Sequence, residues 1–199
     1  GSEMCIRDRS RTVAISGDSL KSPKYYSTII GASISSLINS DEINDINNYR
    51  FINGDPLSGL KVEYSEFLGF YNNSLSVIEE GNNYRMLGWL PFMYNSIPSF
   101  SKTSFSWLLG GAKKVNTNLN GEERAIVVTG EMEKYFPMDI FPMQLIKACM
   151  RGDIEKMESL GIYEVVPEDF GLVDFSCTSK IEAQEIIKNG IEIMLKEVG

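Results

Sequence analysis

A stripe of apolar residues near the C-terminal end of the 199-residue chain constrains the fold most strongly. Apolar side chains recur there at intervals of three and four residues, the spacing of one helix face, at Ile187, Ile191, Met194, Leu195 and Val198. The pattern predicts a helix from Lys180 to Val198 with Ser179 as its N-cap. At 1.5 Å per residue this helix is about 28 Å long, long enough to support a whole domain.

Helix start and stop signals continue upstream of this stripe. Asp139 is a suitable N-cap for a helix with Pro142 in its first turn, where a missing N–H group removes no helical hydrogen bond. Gly152 ends that helix, and Asp153 begins a second one. We therefore predict that residues 131–199 form a C-terminal helical region.

The first part of the chain has the pattern of strands. The β-branched run Thr12–Asp18 and the alternating run that begins at Tyr49 predict two strands, and Gly31–Asn39 predicts a short helix between them. The second strand ends at the turn residues Asn53–Pro56. A strand, a helix and a strand within about fifty residues indicate a small α+β domain over residues 11–62.

Glycines in this part raise the question of a phosphate-binding loop. Gly17, Gly54 and Gly59 follow neither the G-x-x-x-x-G-K-[ST] spacing nor the G-x-G-x-x-G spacing. We interpret all three as turn residues that need a positive φ angle.

The middle of the chain is predicted to be rich in β-structure. Asn72-Asn73 separates two apolar runs and indicates a hairpin, so the stretch from Glu66 to Gly88 is expected to be mostly β. Ser101–Gly111 predicts a short helix, and Ala125–Thr129 predicts a strand. Residues 63–130 are therefore a β-rich segment that contains one short helix.

The first ten residues are set apart from the fold. The sequence GSEMCIRDRS at residues 1–10 has no helical or strand periodicity. It resembles a translated sequencing-adapter remnant, which makes it a non-native tail, and in that case Cys5 is not native. The alternative is a disordered native terminus.

Composition excludes several functions. The chain contains no histidine, which removes histidine acid–base catalysis, Ser-His-Asp triads and most zinc sites. Its net charge of -8 argues against nucleic acid as a partner. The three cysteines are too scattered for a disulfide framework or an iron–sulfur cluster, and no apolar run is long enough to cross a bilayer. We predict no catalytic residue, cofactor site or metal site in this chain.

An unusually apolar stretch, EKYFPMDIFPMQLIKACMRGD, extends from Glu133 to Asp153. One interpretation is that its large side chains belong to the core. The other is an exposed apolar contact, since Met adapts to variable surfaces and exposed apolar patches mark interfaces. The candidate contact residues are Phe136, Met138, Phe141 and Met143.

Several segments together resemble a known family. The stretches IGASISSLI, FINGDPLSG and NGEERAIVVTGEMEKYFPMDIFPMQLIKACMRGDIEKMESLGIYEVVPEDFGLVDFSC occur in the family's order and with similar spacing. They resemble the C-terminal portion of the A subunit of the Na+-translocating NADH:quinone reductase. The resemblance covers nearly everything from Arg11 onward, whereas the family protein is considerably longer at its N-terminus.

The resemblance implies a fold, a location and partners. The fold is an α+β fold that begins with a β-grasp-like domain of the soluble-ligand-binding type. The complex transfers electrons from NADH to quinone and exports Na+, and its A subunit is a peripheral component on the cytoplasmic face of the bacterial inner membrane. NADH, flavins, iron–sulfur centres and quinone then belong to other subunits, which are this chain's partners, with quinone as a further candidate ligand.

One departure and one alternative accompany the resemblance. The family's ending resembles F-x-C-P-G-K, but Thr178-Ser179 here replace the Pro-Gly pair between Cys177 and Lys180. We expect Cys177 to be a small buried residue. The alternative function is an independent β-grasp module that binds a small ligand in a polar pocket near Gly54–Ser58.

Overall fold

The chain divides into two compact units, residues 1–120 and residues 121–199. The structure is a computed structural model. It describes residues 9–18, 20–38, 43, 45–82, 86–87, 90, 105, 107–108 and 115–198.

The first unit contains a five-stranded mixed sheet. The strands are β1 (Ser10–Ser16), β2 (Lys24–Ile29), β3 (Tyr49–Asn53), β4 (Leu60–Val62) and β5 (Ser74–Glu79). Their order in the sheet is β2-β1-β5-β3-β4. β1 and β5 are parallel, and the other neighbouring strands are antiparallel. The two strands predicted from the first part of the chain are thus confirmed as β1 and β3.

The core of this unit lies between one face of the sheet and a short helix. Alternate residues of the strands point to one face, and Val13, Phe51 and Val77 are buried there. The helix, α1 (Ile34–Leu37), buries Ile34 and Leu37 in the same cluster. The predicted short helix is confirmed, and the mixed sheet with helices makes the chain an α+β protein.

The predicted hairpin at Asn72-Asn73 is wrong. β5 follows this turn, but it pairs with β1 and β3 rather than with the residues just before it. The physical reason is that Leu75, Ser76, Val77 and Ile78 are all buried, so the strand is central and needs a partner on each side. Among the described residues of the stretch predicted to be mostly β, only β5 forms a strand, and Phe67 makes one isolated bridge.

The three glycines differ in their backbone conformation. Gly17 and Gly54 have φ angles of 147° and 104°, which confirms the positive φ expected at these turns. Gly59 does not have a positive φ angle, so the prediction is wrong at this position. Glycine is needed there because a larger residue would not fit: a Cβ atom would lie 2.5 Å from the carbonyl oxygen of Asp55. The predicted helix over 101–111 lies outside the described residues, apart from 105, 107 and 108.

The second unit is helical. Its α-helices are α2 (Met132–Tyr135), α3 (Pro142–Arg151), α4 (Ile154–Ser159), α5 (Gly171–Ser176) and α6 (Ala183–Val198). Single 3-10 turns at Ile162–Glu164 and Pro167–Phe170 connect α4 to α5. One buried cluster joins all five helices, and it includes Met132, Ile146, Met157, Val173 and Ile187.

Local signals set the ends of α3 and α4. Pro142 is the first residue of α3, and Gly152 ends it with a φ angle of 65°, as predicted. The Asp153 carboxylate accepts a hydrogen bond from Lys156 N at 3.3 Å and caps α4, also as predicted. The Asp139 cap is wrong, because α3 begins after Phe141 and has no side-chain cap.

The C-terminal helix begins later than predicted. α6 has 16 residues and starts at Ala183 rather than at Lys180, which makes it about 24 Å long. Its buried face includes Ile187 and Met194, whereas Leu195 from the predicted stripe is 68% exposed. The side chain of Val198 is outside the described residues.

The predicted strand at Ala125–Thr129 is also wrong. These residues belong to no strand ladder, and their backbone forms no helix, turn or bend. At the start of the run, Ser179 O accepts a hydrogen bond from Arg124 N and Ser179 Oγ donates one to Ala125 O, and no described strand pairs with these residues. We refer to these residues below as the 125–129 segment.

α3 and α6 pack so closely that only glycine fits at position 190. A Cβ atom there would lie 2.6 Å from Cys149 Sγ and 3.3 Å from Ile162 Cδ1. We expect Gly190→Ala to lower the free energy of unfolding by about 1–3 kcal/mol, because the added methyl group overpacks a buried contact. Urea denaturation measures this difference.

The control for this change is Lys188→Ala on the exposed face of the same helix, which should have little effect. In a Cys149→Ala background the Gly190→Ala penalty should shrink, because the contacting sulfur atom is gone. Strictly additive effects of the two substitutions would contradict the contact.

Candidate functional site

The four candidate contact residues lie in different environments. Phe136 and Met143 are buried in the core of the second unit, and Met138 packs against that core. The rings of Phe136 and Phe170 are 4.7 Å apart between centroids. Phe141, in contrast, is 64% exposed. Of the four, Phe141 is therefore the one that offers a large apolar surface to another molecule.

A small cavity lies beside Met143. Its lining consists of Val127, Thr129, Glu131, Met132, Met143 and the run 176–179. The cavity measures about 10 Å³, which is space for about one water molecule. Pockets that enclose a small organic ligand are tens of times larger, so this cavity cannot hold a quinone ring in the present conformation.

A turn at Cys177–Lys180 holds the start of the 125–129 segment. Lys180 N donates to Cys177 O at 3.4 Å and closes the turn. Ser179 O accepts a hydrogen bond from Arg124 N at 2.9 Å, and Ser179 Oγ donates to Ala125 O at 3.2 Å. Ser179 thus uses its side chain to anchor the segment, and the expected cap of α6 by Ser179 is wrong, because α6 begins at Ala183.

The 125–129 segment exposes most of its apolar surface. Ile126 is partly buried and packs against the core, but Val127 and Val128 are 63% and 61% exposed. Backbone groups of these three residues make no hydrogen bond to any described part of the chain. Such groups are free to pair with another polypeptide segment.

Asp174 fixes the beginning of α6. Its carboxylate accepts hydrogen bonds from Ala183 N at 2.5 Å, from Gln184 N at 3.3 Å and from Gln184 Nε2 at 2.9 Å. It therefore caps α6 from the neighbouring helix α5. Burial raises the pKa of this carboxyl group and outweighs the three hydrogen bonds, which lower it.

Sequence reasoning missed Asp174, and no local signal could have found it. A capping residue is recognised immediately before its helix, whereas Asp174 belongs to the preceding helix. Only the fold brings its carboxylate to the first N–H groups of α6.

The two described thiols are buried, and neither belongs to a metal-binding group of described residues. Cys149 and Cys177 are free and buried, which confirms Cys177 as a small buried residue. Burial raises the pKa of the Cys149 thiol to about 11. Within the described residues, no group of three acidic or cysteine side chains is placed to hold a metal ion.

The Gly54–Ser58 turn of the first unit uses its own polar groups. Asp55 Oδ1 accepts hydrogen bonds from Leu57 N at 2.8 Å and Ser58 N at 3.0 Å, and Asp55 Oδ2 accepts one from Ser58 Oγ at 2.5 Å. Burial raises the pKa of Asp55, but these hydrogen bonds outweigh it and the pKa is lowered. The turn therefore stabilises itself and presents little unused hydrogen-bonding capacity to a ligand.

An ion pair fixes the far end of β5. Arg50 Nε donates to Glu80 Oε2 at 2.9 Å, and its Nη2 group contacts Glu80 Oε1. The hydrogen bond from Arg50 holds the pKa of Glu80 below its ordinary value. This bidentate pair joins β3 to the end of β5 and has a structural role.

Comparison with known proteins relates the chain to one family. Residues 12–64 match the family model described as the NQRA C-terminal domain. Over 188 residues the chain is 34% identical to a protein of Neisseria meningitidis serogroup C. This alignment covers 94% of the chain and 42% of that protein. It is 35% identical over 196 residues to a protein of Pasteurella multocida, and this alignment covers 96% of the chain and 42% of that protein.

A third relative, from Chlamydia pneumoniae, is 38% identical over 199 residues, with 95% of this chain and 41% of that protein covered. All three relatives carry the name of the A subunit of a Na(+)-translocating NADH-quinone reductase. These findings confirm the resemblance to part of that subunit. The chain spans about two fifths of the length of these relatives.

No helix in the described part of the chain combines the length and the apolar character that a membrane crossing requires. The longest, α6, has 16 residues and carries charged side chains along its length.

Removing the Asp174 cap should destabilise α6. We expect Asp174→Ala to lower the free energy of unfolding by about 1–2 kcal/mol, because two N–H groups at the start of the helix lose their acceptor. Asp174→Asn keeps one side-chain oxygen and should lose less. Urea denaturation is the measurement, and Glu192→Ala on the exposed face of α6 is the control. Equal stabilities of the Asp174 variants and the parent chain would contradict the cap.

The Cys149 thiol should make folding sensitive to alkaline pH. Its folded-state pKa of about 11 lies above its ordinary value of 9.0. The stability it contributes is therefore fully present below pH 9 and is lost as the pH rises towards 11. In a chain with Cys5 and Cys177 changed to Ser, the free energy of unfolding should fall more steeply over this range than in the matching Cys149→Ala chain. Parallel pH profiles would rule out a buried thiol.

Proposed function

Because this chain matches part of the reductase's A subunit over almost its whole length, we propose that it serves in a Na+-translocating NADH:quinone reductase. Such a complex transfers electrons from NADH to quinone and couples this transfer to Na+ export. The similarity to relatives that carry this name is the observation that supports the proposal.

The proposed role of the chain is non-catalytic. It contains no histidine, and its two described thiols are buried, which supports a role without histidine or thiol chemistry. Electron transfer then takes place on NADH, flavins and iron–sulfur centres of other subunits. The chain docks onto those subunits or shapes the site where quinone binds.

The first unit is proposed to be a β-grasp domain of the soluble-ligand-binding type. A mixed sheet with a helix packed on one face supports this assignment, as does the family model that matches residues 12–64. The alternative of an independent small-ligand module has no supporting observation, because the polar groups of the Gly54–Ser58 turn are used within the turn.

The proposed location is the cytoplasmic face of the bacterial inner membrane, with the chain attached through its partner proteins. Phe141 is the proposed contact residue for a partner or for quinone. It is the exposed member of the candidate set, and Pro142 stiffens the backbone beside it.

Co-purification tests the proposal. The tagged chain is mixed with detergent-solubilised membranes from cells that contain the other reductase subunits but lack the A subunit, and the eluted proteins are identified. We expect the reductase subunits to co-elute with the chain. Elution of the chain without them would contradict a role in this complex.

Phe141 can be tested in the same experiment. We expect Phe141→Ser to reduce co-elution about tenfold, because truncating a large apolar side chain at a contact typically costs more than 1 kcal/mol. Leu195→Ser removes an equally exposed apolar side chain on α6 and is the matched control. Circular dichroism must first show that both variants fold. Equal losses for the two variants would remove Phe141 from the contact.

A further inference from the structure

The 125–129 segment combines strand-forming residues with an unpaired backbone. Val127 and Val128 are β-branched and exposed, and no described residue accepts or donates a hydrogen bond at Ile126, Val127 or Val128. Val and Ile are among the residues most enriched in strands. A segment of this composition with free N–H and C=O groups is a template for an added strand.

Ser179 holds the start of the segment, and a local hydrogen bond follows its end. Ser179 binds the backbone at Arg124 and Ala125, and at the other end Thr129 Oγ1 accepts a hydrogen bond from Glu131 N at 3.4 Å. Ile126 fixes the middle by packing against the core. These contacts restrict the segment before a partner binds, which lowers the conformational entropy that pairing with another strand loses on this side.

The surroundings of the segment are acidic. Residues 121–199 contain 16 Asp and Glu residues against 8 Lys and Arg residues, so the second unit carries the whole net charge of -8, while the first 120 residues are balanced at 11 of each. Glu122 and Glu123 precede the segment and are exposed, and Glu131 follows it. Arg124 and the Lys134 partner of Glu131 offset part of this charge. The second unit as a whole stays strongly negative, which favours Lys and Arg on the incoming strand.

We propose that the 125–129 segment is a docking strand that pairs, by β-strand addition, with an extended segment flanked by Lys or Arg from a partner polypeptide. This inference rests on the proposed function for the identity of the partner. Loops of membrane proteins on the cytoplasmic side carry an excess of Lys and Arg, so a cytoplasmic segment of a membrane protein in the complex has the required chemistry.

A second copy of this chain fits less well. Pairing two 125–129 segments would bring Glu122, Glu123 and Glu131 of each copy close to the same residues of the other. Like charges facing each other across paired strands are destabilising. Self-association is therefore an outcome of the test that would overturn the proposal.

Peptide binding to the full 199-residue chain tests the docking strand directly. The probe is a fluorescent peptide, Lys-Lys-Thr-Val-Thr-Val-Thr-Lys-Lys, and its control carries Glu at each Lys position. We expect the basic peptide to bind at least about tenfold more tightly at low salt, with an affinity that weakens as salt is added. Hydrogen exchange at Ile126–Val128 should slow about tenfold or more when it binds.

Two variants separate backbone pairing from charge. Val128→Pro removes one N–H group that has no partner among the described residues of the free chain. We expect it to weaken peptide binding about tenfold, whereas Val128→Thr, which keeps the N–H group, should bind normally. If Val128→Pro does not fold, the Glu122→Gln/Glu123→Gln double variant provides the test, since it should reduce both the affinity and the salt dependence.

Three results would overturn the proposal: equal binding of the basic and acidic peptides, unchanged hydrogen exchange at Ile126–Val128, or concentration-dependent dimerisation through the segment. The co-purification experiment distinguishes this failure from failure of the proposed function. If the reductase subunits co-elute equally with the parent chain and with Val128→Pro, the docking strand is wrong and the assignment to the reductase stands. If the basic peptide binds as described but no reductase protein co-elutes, the docking strand stands and the assignment to the reductase is wrong.

Discussion

The organisation of the second unit depends on the carboxylate of Asp174. By accepting the first N–H groups of α6, Asp174 ties the start of that helix to α5. The chain between the two helices is then too short to move freely, and it closes into the turn at Cys177–Lys180. Ser179 of this turn holds the start of the 125–129 segment. A single capping interaction thus positions the surface on which we place the docking strand.

The parts of the fold that could be predicted are those with local causes. Pro142 at the start of α3, Gly152 at its end and Asp153 before α4 act within one helical turn of themselves. What could not be predicted depends on distant partners. The neighbours of β5 lie more than twenty residues away in the sequence, and the cap of α6 comes from another helix. Sequence periodicity contains no information about such pairings.

The candidate contact shows the same limit. Phe136 and Phe141 are the same residue type, each followed by proline, and the sequence offers no way to tell them apart. Their difference arises because α2 directs Phe136 towards Phe170 in the core, whereas Phe141 is the residue just before α3 and remains at the surface. Composition therefore identified an apolar stretch. Where α2 ends and α3 begins determines that Phe141, and not Phe136, is available to a partner.

The strand predicted at Ala125–Thr129 failed for an informative reason. Local propensity favours a strand there, yet the described fold provides no neighbouring strand, and two valines stay in water. Natural sequences usually agree with their fold at the local level, and exceptions concentrate at functional sites. A strand-forming sequence without a neighbouring strand is such an exception. A partner that supplies the missing strand would bring the local sequence and the fold into agreement. The net negative charge of the second unit then influences which partner strand can bind, because it favours basic segments and disfavours a second copy of the same surface.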